Sequence, residues 1–186
     1  MVSAPPTPCH DESLRATTRS RFPATLAAPL TALLLGLVVA LSGIRGSDWP
    51  AHQFRIGLFR EVGLTLWNAQ WYSGHYTLGY SVIFPPLASL IGPLVVGIAS
   101  GVIASAALAD LLWRRFGTTG AVASCWFAVG TAVNLAVGRL PFALGLAFGL
   151  VTLMAYQHHR VGLAVASALL TSLASPVAGA FLAIAL

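Results

Sequence analysis

Charge is what this sequence has least of: Asp, Glu, Lys and Arg together make up 8% of its 186 residues, against 57% hydrophobic. With a mean hydropathy of +0.82, almost no segment has the composition for the polar outer face of a soluble domain. Lysine is absent altogether, and the ten basic residues are all arginine, scattered among apolar runs rather than gathered in a stripe. Such scatter argues against a nucleic-acid partner despite the formal charge of +5. Only two cysteines occur, Cys9 near the N-terminus and Cys125 within an apolar run; a disulfide would need both on one side of a membrane, so they read as unpaired thiols. Also missing are a phosphate-cradling P-loop, a dinucleotide fingerprint and a nucleophile-elbow serine, which sets aside the soluble-enzyme classes those motifs mark.

What the sequence does have is long charge-free runs: Phe22 to Ile44, Val62 to Ala109, Phe116 to Gly138, Leu140 to His159 and Val161 to Leu186. Each reaches or exceeds the roughly 20 residues that cross a bilayer. The economical reading is an all-α, multi-pass membrane bundle of about five spanning helices, over residues 24–43, 86–113, 119–137, 140–157 and 161–186. The first run is longer than the apolar core of a secretory signal and follows some twenty polar residues, so a retained helix is expected. Residues 1–21 are rich in Pro, Ser and Thr without apolar periodicity and read as a disordered tail. Small residues four apart, Gly97 with Gly101 and Gly145 with Gly149, suit close helix packing, and Ser175-Pro176 is expected to kink the last helix. That helix ends in "FLAIAL" with no polar or aromatic anchor, which leads to the expectation that the chain is the N-terminal part of a larger protein.

Arginine placement gives an orientation. Arg15, Arg19, Arg21, Arg114, Arg115 and Arg160 fall on one side of such a bundle, against Arg45, Arg55, Arg60 and Arg139 on the other. The positive-inside bias makes the larger set cytoplasmic, with the N-terminus, and the smaller set external to a cell membrane.

On this reading residues 44–82 form an outside loop. It holds two of the five acidic residues, three arginines, His52 and His75, and a set of aromatics that includes Trp49, Trp67, Trp71, Tyr76 and Tyr80. If a helix starts at Ser47 or Asp48, with Pro50 in its first turn, Asp48, His52 and Arg55 fall at i, i+4 and i+7 on one face. Phe54, Leu58, Val62 and Leu66 share another, the spacing of an amphipathic helix in the membrane interface. Two readings stay open for each group. Asp48 is an N-cap or a functional carboxylate; His52 and Arg55 form a solvated face or bind a ligand; the aromatics are an interfacial belt or a sugar platform.

The order of these residues resembles the N-terminal region of the GT-C superfamily of multi-pass glycosyltransferases. An acid directly after the first helix, an amphipathic stretch, then "WNAQWYSGHYTLGYSVIFPPL" with Gly74 ahead of Pro85-Pro86 at the second helix, carry the likeness over about residues 24–113. Many members have two adjacent acids, whereas here Trp49 follows Asp48. The resemblance implies transfer of a sugar from a polyprenyl-phosphate carrier to an acceptor at the outer face, with membrane lipid and the lipid-linked sugar as partners. Asp48 is then the catalytic acid-base residue, with His52, Arg55, His75 and Arg139 as substrate-binding candidates. Arg139, in the turn "GRLPF", has a helix-end anchor as its alternative role. No cofactor is indicated, and a divalent metal stays open.

Two other function classes remain. A transporter would depend on an intramembrane polar group, for which Asp110 is the candidate, although Asp110 and Arg114 are four apart and read as a structural pair. A non-catalytic membrane subunit would need no site. His158, His159 and Arg160 are expected to form a turn without an acid nearby, which makes a metal site there improbable.

Overall fold

A computed structural model describes residues 25–71 and 73–186 in full, and residues 9–24 only as part of the first helix. The tail expected over residues 1–21 lies outside the fully described residues, as does Tyr72. In chain order the elements are α1 (Cys9–Ser42), α2 (Trp49–Val62), β1 (Trp67–Asn68), β2 (Thr77–Leu78), α3 (Phe84–Ile91), α4 (Pro93–Phe116), α5 (Thr118–Val137), α6 (Leu140–Gln157), α7 (Val161–Ala174) and α8 (Pro176–Ala185). Among the described residues four helices are long and apolar enough to cross a membrane: Thr25–Ser42, Pro93–Phe116, Thr118–Val137 and Leu140–Gln157. The molecule is an all-α bundle with the composition of a membrane protein.

Helix α4 packs against α1, α5 and α6. Small residues make this possible: Gly97, Ser100, Gly101, Ala104 and Ser105 are buried along it. A β-carbon on Gly97 would sit 2.6 Å from Leu135 Cδ1, and one on Gly101 would sit 3.0 Å from Thr131 Oγ1, so a side chain at either position would have to displace its α5 neighbour. The hydroxyls among these apolar faces are mostly satisfied within their own helices. Ser100, Ser124 and Thr171 each donate to the carbonyl four residues back, while Thr152 Oγ1 also donates across the α6–α7 contact to Ser167 Oγ at 2.9 Å.

Two expected helices differ from the sequence reading. The stretch over 86–113 is not continuous. It divides at Gly92, whose φ of 90° and ψ of 142° lie outside the helical region; Pro93, lacking an N–H, restarts the chain as α4. The stretch over 161–186 is more than kinked, because Ser175 is fully extended (φ −156°, ψ 114°) and separates α7 from α8. Neither half has the roughly 20 residues of a span. Instead α8 folds back along α7, with Gly179 set against Ser172, and Ser175 and Ala178 press on Gly145 of α6.

The outside loop of the sequence reading becomes α2, a two-stranded antiparallel hairpin pairing Trp67 with Leu78, and the approach to α3. Helix α2 lies on α3, pinned by Arg60 Nη2 donating to Ser89 O at 3.2 Å. Beneath them Ile56, Phe84, Ala88, Val96, Leu135, Leu140, Leu144 and Ala174 form one apolar cluster. This cluster is the floor on which the polar residues of α2 stand.

Candidate functional site

The segment 46–49 is stitched to the α5–α6 turn. Asp48 N–H donates to Val137 O at 3.4 Å, and Gly46 is pressed so closely on the Val137 backbone that no side chain fits there. On the other side Gly138 adopts the left-handed conformation (φ 93°), with Trp49 N only 3.0 Å from where its β-carbon would be. These two glycines bring the start of α2 against the start of α6. Asp48 and Arg139, 91 positions apart in sequence, therefore line one cleft.

That cleft has a volume of about 480 Å³, within the range of ligand pockets. Asp48, Ala51, His52 and Arg55 come from α2, Tyr80 from the segment after the hairpin, and Arg139 from the α5–α6 turn. Pro141 and Phe142 of α6 and Val177 and Phe181 of α8 supply the apolar wall. A second cavity of about 250 Å³, apolar throughout, runs between α6 and α8 past Gly145, Leu150 and Leu182, and it shares Phe142 and Phe181 with the cleft.

Asp48 occupies the N-cap position of α2, but its side chain accepts no capping bond. Its one hydrogen-bond partner among the described residues is the Ser47 hydroxyl, 3.3 Å from Oδ1. Capping, the alternative role for this residue, is thus not realised. Arg55 lies over the Tyr80 ring, 5.9 Å from its centroid, and has no carboxylate at ion-pair distance among the described residues. Arg139 is exposed at the rim.

The solvated face expected for α2 is corrected at His52, which is 6% exposed. Sequence spacing shows which residues share a face but not which way the helix rolls, and here α2 turns His52 and Ile56 inward onto α3. The imidazole meets Phe84 edge to face, with centroids 5.3 Å apart and an interplanar angle of 62°. Its pKa is lowered from 6.5 to about 4, chiefly by burial; the Gly138 backbone opposes this, Arg55 lowers it further, and Asp48 has the smallest, raising effect. The Gly138 backbone lies close to the ring, but among the described residues neither ring nitrogen has a hydrogen-bond partner.

Tyr80 links the cleft to the helix break. Its hydroxyl is 2.8 Å from Ser175 Oγ, which also accepts from Ala178 N–H and so caps α8. Alongside, Val82 N–H donates to Leu173 O at 2.9 Å, satisfying a carbonyl left open at the end of α7. The loop and the break hold each other in place.

Of the site residues expected from sequence, Asp48, His52, Arg55 and Arg139 meet in the cleft. His75 does not: it is exposed in the connection between β1 and β2 and lines no part of it. Val177 and Phe181 were missed, since their signal, the Ser175-Pro176 break, read only as a kink. Among the described residues no group of three or more His, Cys, Asp or Glu side chains gathers to hold a metal ion.

At the far end of α4 the expected pair forms, Arg114 Nε lying 3.3 Å from Asp110 Oδ2. The absence of an acid near His158 is corrected: His158 Nε2 lies 2.7 Å from the same oxygen, tying α6 to α4. No family model matches the chain, and no curated protein and no solved structure matches it either.

Proposed function

We propose that the chain is part of a membrane glycosyltransferase, similar to the GT-C superfamily, that moves a sugar from a lipid-phosphate carrier to an acceptor hydroxyl. One observation carries this reading: a carboxylate and two arginines share a cleft that adjoins an apolar groove, the two having Phe142 and Phe181 in common. Such a shape fits an amphiphile. The phosphate would rest on Arg55 and Arg139, whose planar guanidinium groups suit its oxygens, and the hydrocarbon chain would pass Phe142 and Phe181 into the groove between α6 and α8.

In the reaction the acceptor oxygen forms a bond to the anomeric carbon as the bond from that carbon to the phosphate oxygen breaks. Asp48 takes the acceptor's proton, and the electron pair leaves with the lipid phosphate, whose charge the arginines stabilise. With the N-terminus cytoplasmic, as the arginine bias favours, the cleft faces outward.

The test is transfer of radiolabel from a polyprenyl-phosphate hexose into water-soluble or protein-bound product, in native membranes containing the full-length protein. Asp48→Asn is expected to lower the rate by about 10²–10⁴-fold, the usual contribution of a general base. Unchanged transfer would remove Asp48 from the chemistry. The transporter reading receives no comparable support, because Asp110 is already engaged by Arg114 and His158.

A further inference from the structure

His52 is the least explained residue of the cleft. Both ring nitrogens are buried and neither has a hydrogen-bond partner among the described residues. About nine in ten buried polar groups find a partner, because leaving one bare costs its full desolvation. A phenylalanine would fill the same place against Phe84 and Ile56 without that cost, so packing does not account for an imidazole here. The small part of His52 that is exposed belongs to the lining of the cleft.

We propose that His52 is the hydroxyl-binding residue of this cleft, holding a sugar hydroxyl beside Asp48, while the anionic part of the ligand goes to Arg55 and Arg139. The chemistry separates the two halves. A neutral imidazole offers one N–H donor and one bare nitrogen acceptor, which matches a hydroxyl, itself a donor and an acceptor. A phosphate oxygen only accepts, and it would be served better by the guanidinium groups of Arg55 and Arg139. Burial keeps the ring neutral above a pKa of about 4, with Arg55 acting in the same direction, so its donor-acceptor character holds throughout the neutral range. Asp48 stands one helical turn before His52, on the same face, where a hydroxyl held by the ring would have a carboxylate within reach.

The assignment of the anion to the arginines rests on the lipid-phosphate reading, whereas the match of His52 to a hydroxyl does not. The experiment uses the full-length protein in nanodiscs with three probes: a short-chain prenyl phosphate, the same prenyl phosphate carrying one hexose, and an alkyl hexoside without phosphate, below its micelle concentration. In His52→Phe, both hexose probes are expected to bind about tenfold more weakly, the worth of one such hydrogen-bonding group, while prenyl phosphate binds as in the wild type. His52→Gln, which keeps a donor and an acceptor, is expected to recover most of the loss. In wild-type protein with ¹⁵N-labelled imidazoles, the His52 signals, assigned by their absence in His52→Phe, should move with either hexose probe and stay put with prenyl phosphate. This readout does not depend on the stability of a variant.

Equal hexose binding in wild type and His52→Phe overturns the assignment. So do equal losses for all three probes, unmoved imidazole signals, or failure of both hexose probes to bind the wild type. If prenyl phosphate does not bind the wild type but the alkyl hexoside binds in a His52-dependent way, the lipid-phosphate reading fails and the role of His52 stands.

Discussion

The two ends of this bundle use the same kinds of residue to opposite effect. At one end Asp110, Arg114 and His158 satisfy one another, with a single carboxylate oxygen 3.3 Å from the guanidinium and 2.7 Å from the imidazole. At the other end Asp48, His52, Arg55 and Arg139 share a cleft, yet no two of their side chains form an ion pair or hydrogen bond with each other among the described residues. A mutually satisfied cluster fixes helices in place. One whose members have been left unpaired, at a cost in folding stability, holds groups in readiness for something else.

The sharpest way to break this comparison is acid. Because His52 titrates near 4 when folded and near 6.5 when unfolded, the unfolded chain binds more protons between those values. Stability is therefore highest above pH 6.5 and falls as the pH drops toward 4, by about 3 kcal/mol over the window. The groups acting on the ring are Asp48 and Arg55 of its own segment and the Gly138 backbone from the α5–α6 turn, with apolar Phe84 against its edge. Thermal unfolding at pH 7 and pH 4.5 is expected to show a fall in midpoint that is markedly smaller in His52→Phe. Identical falls in both proteins would mean that the ring is not held neutral.

A smaller effect is expected at the arginines. Arg139→Ala should weaken prenyl phosphate binding in nanodiscs by about 2 kcal/mol, roughly thirtyfold, since a charged hydrogen bond is lost at an exposed rim that needs no repacking. Arg114→Ala should leave that affinity alone. Were the two variants to bind alike, the ends would not differ in the way their pairing suggests.

Much of the architecture was legible because a bilayer imposes length and polarity so strictly. Helix α6 has the bounds 140–157 expected of it, and the glycine pairs at spacing four sit at helix contacts, Gly97 and Gly101 against α5, Gly145 against Ser175 and Ala178, and Gly149 against Thr171 of α7. Asp48, His52 and Arg55 share a face because helical periodicity is local. The misses are all tertiary. The run from Val62 to Ala109 carries no charge, and its part around Gly92 is apolar on both sides, so hydropathy gives no reason to mark the break there. The fold-back at Ser175 depends on Val82 and Tyr80 being there to meet the exposed ends of α7 and α8. Likewise His52 faces inward because α3 lies beneath α2, and His75 is carried away by a hairpin whose pairing holds it off the cleft.

The smallest expected effect tests the satisfied end. Asp110 sits on α4, one turn before Arg114, and its side chain is 22% exposed, so its charge is only partly screened by solvent. Replacing it with Asn keeps the shape and removes the charge that draws Arg114 and His158 together. The i,i+4 contact is worth a few tenths of a kcal/mol, and the tie to His158 across α4 and α6 adds a similar amount, for a total of about 1 kcal/mol. For a domain of this size that is a fall of about 2–4 °C in the unfolding midpoint. Sugar transfer and prenyl phosphate binding should be unchanged, since this oxygen holds two helices side by side and lines no part of the cleft. A severe loss of function in Asp110→Asn at an unaltered midpoint would show that pairing does not mark a structural role here, and it would return the transport reading, which depends on this acid, to first place.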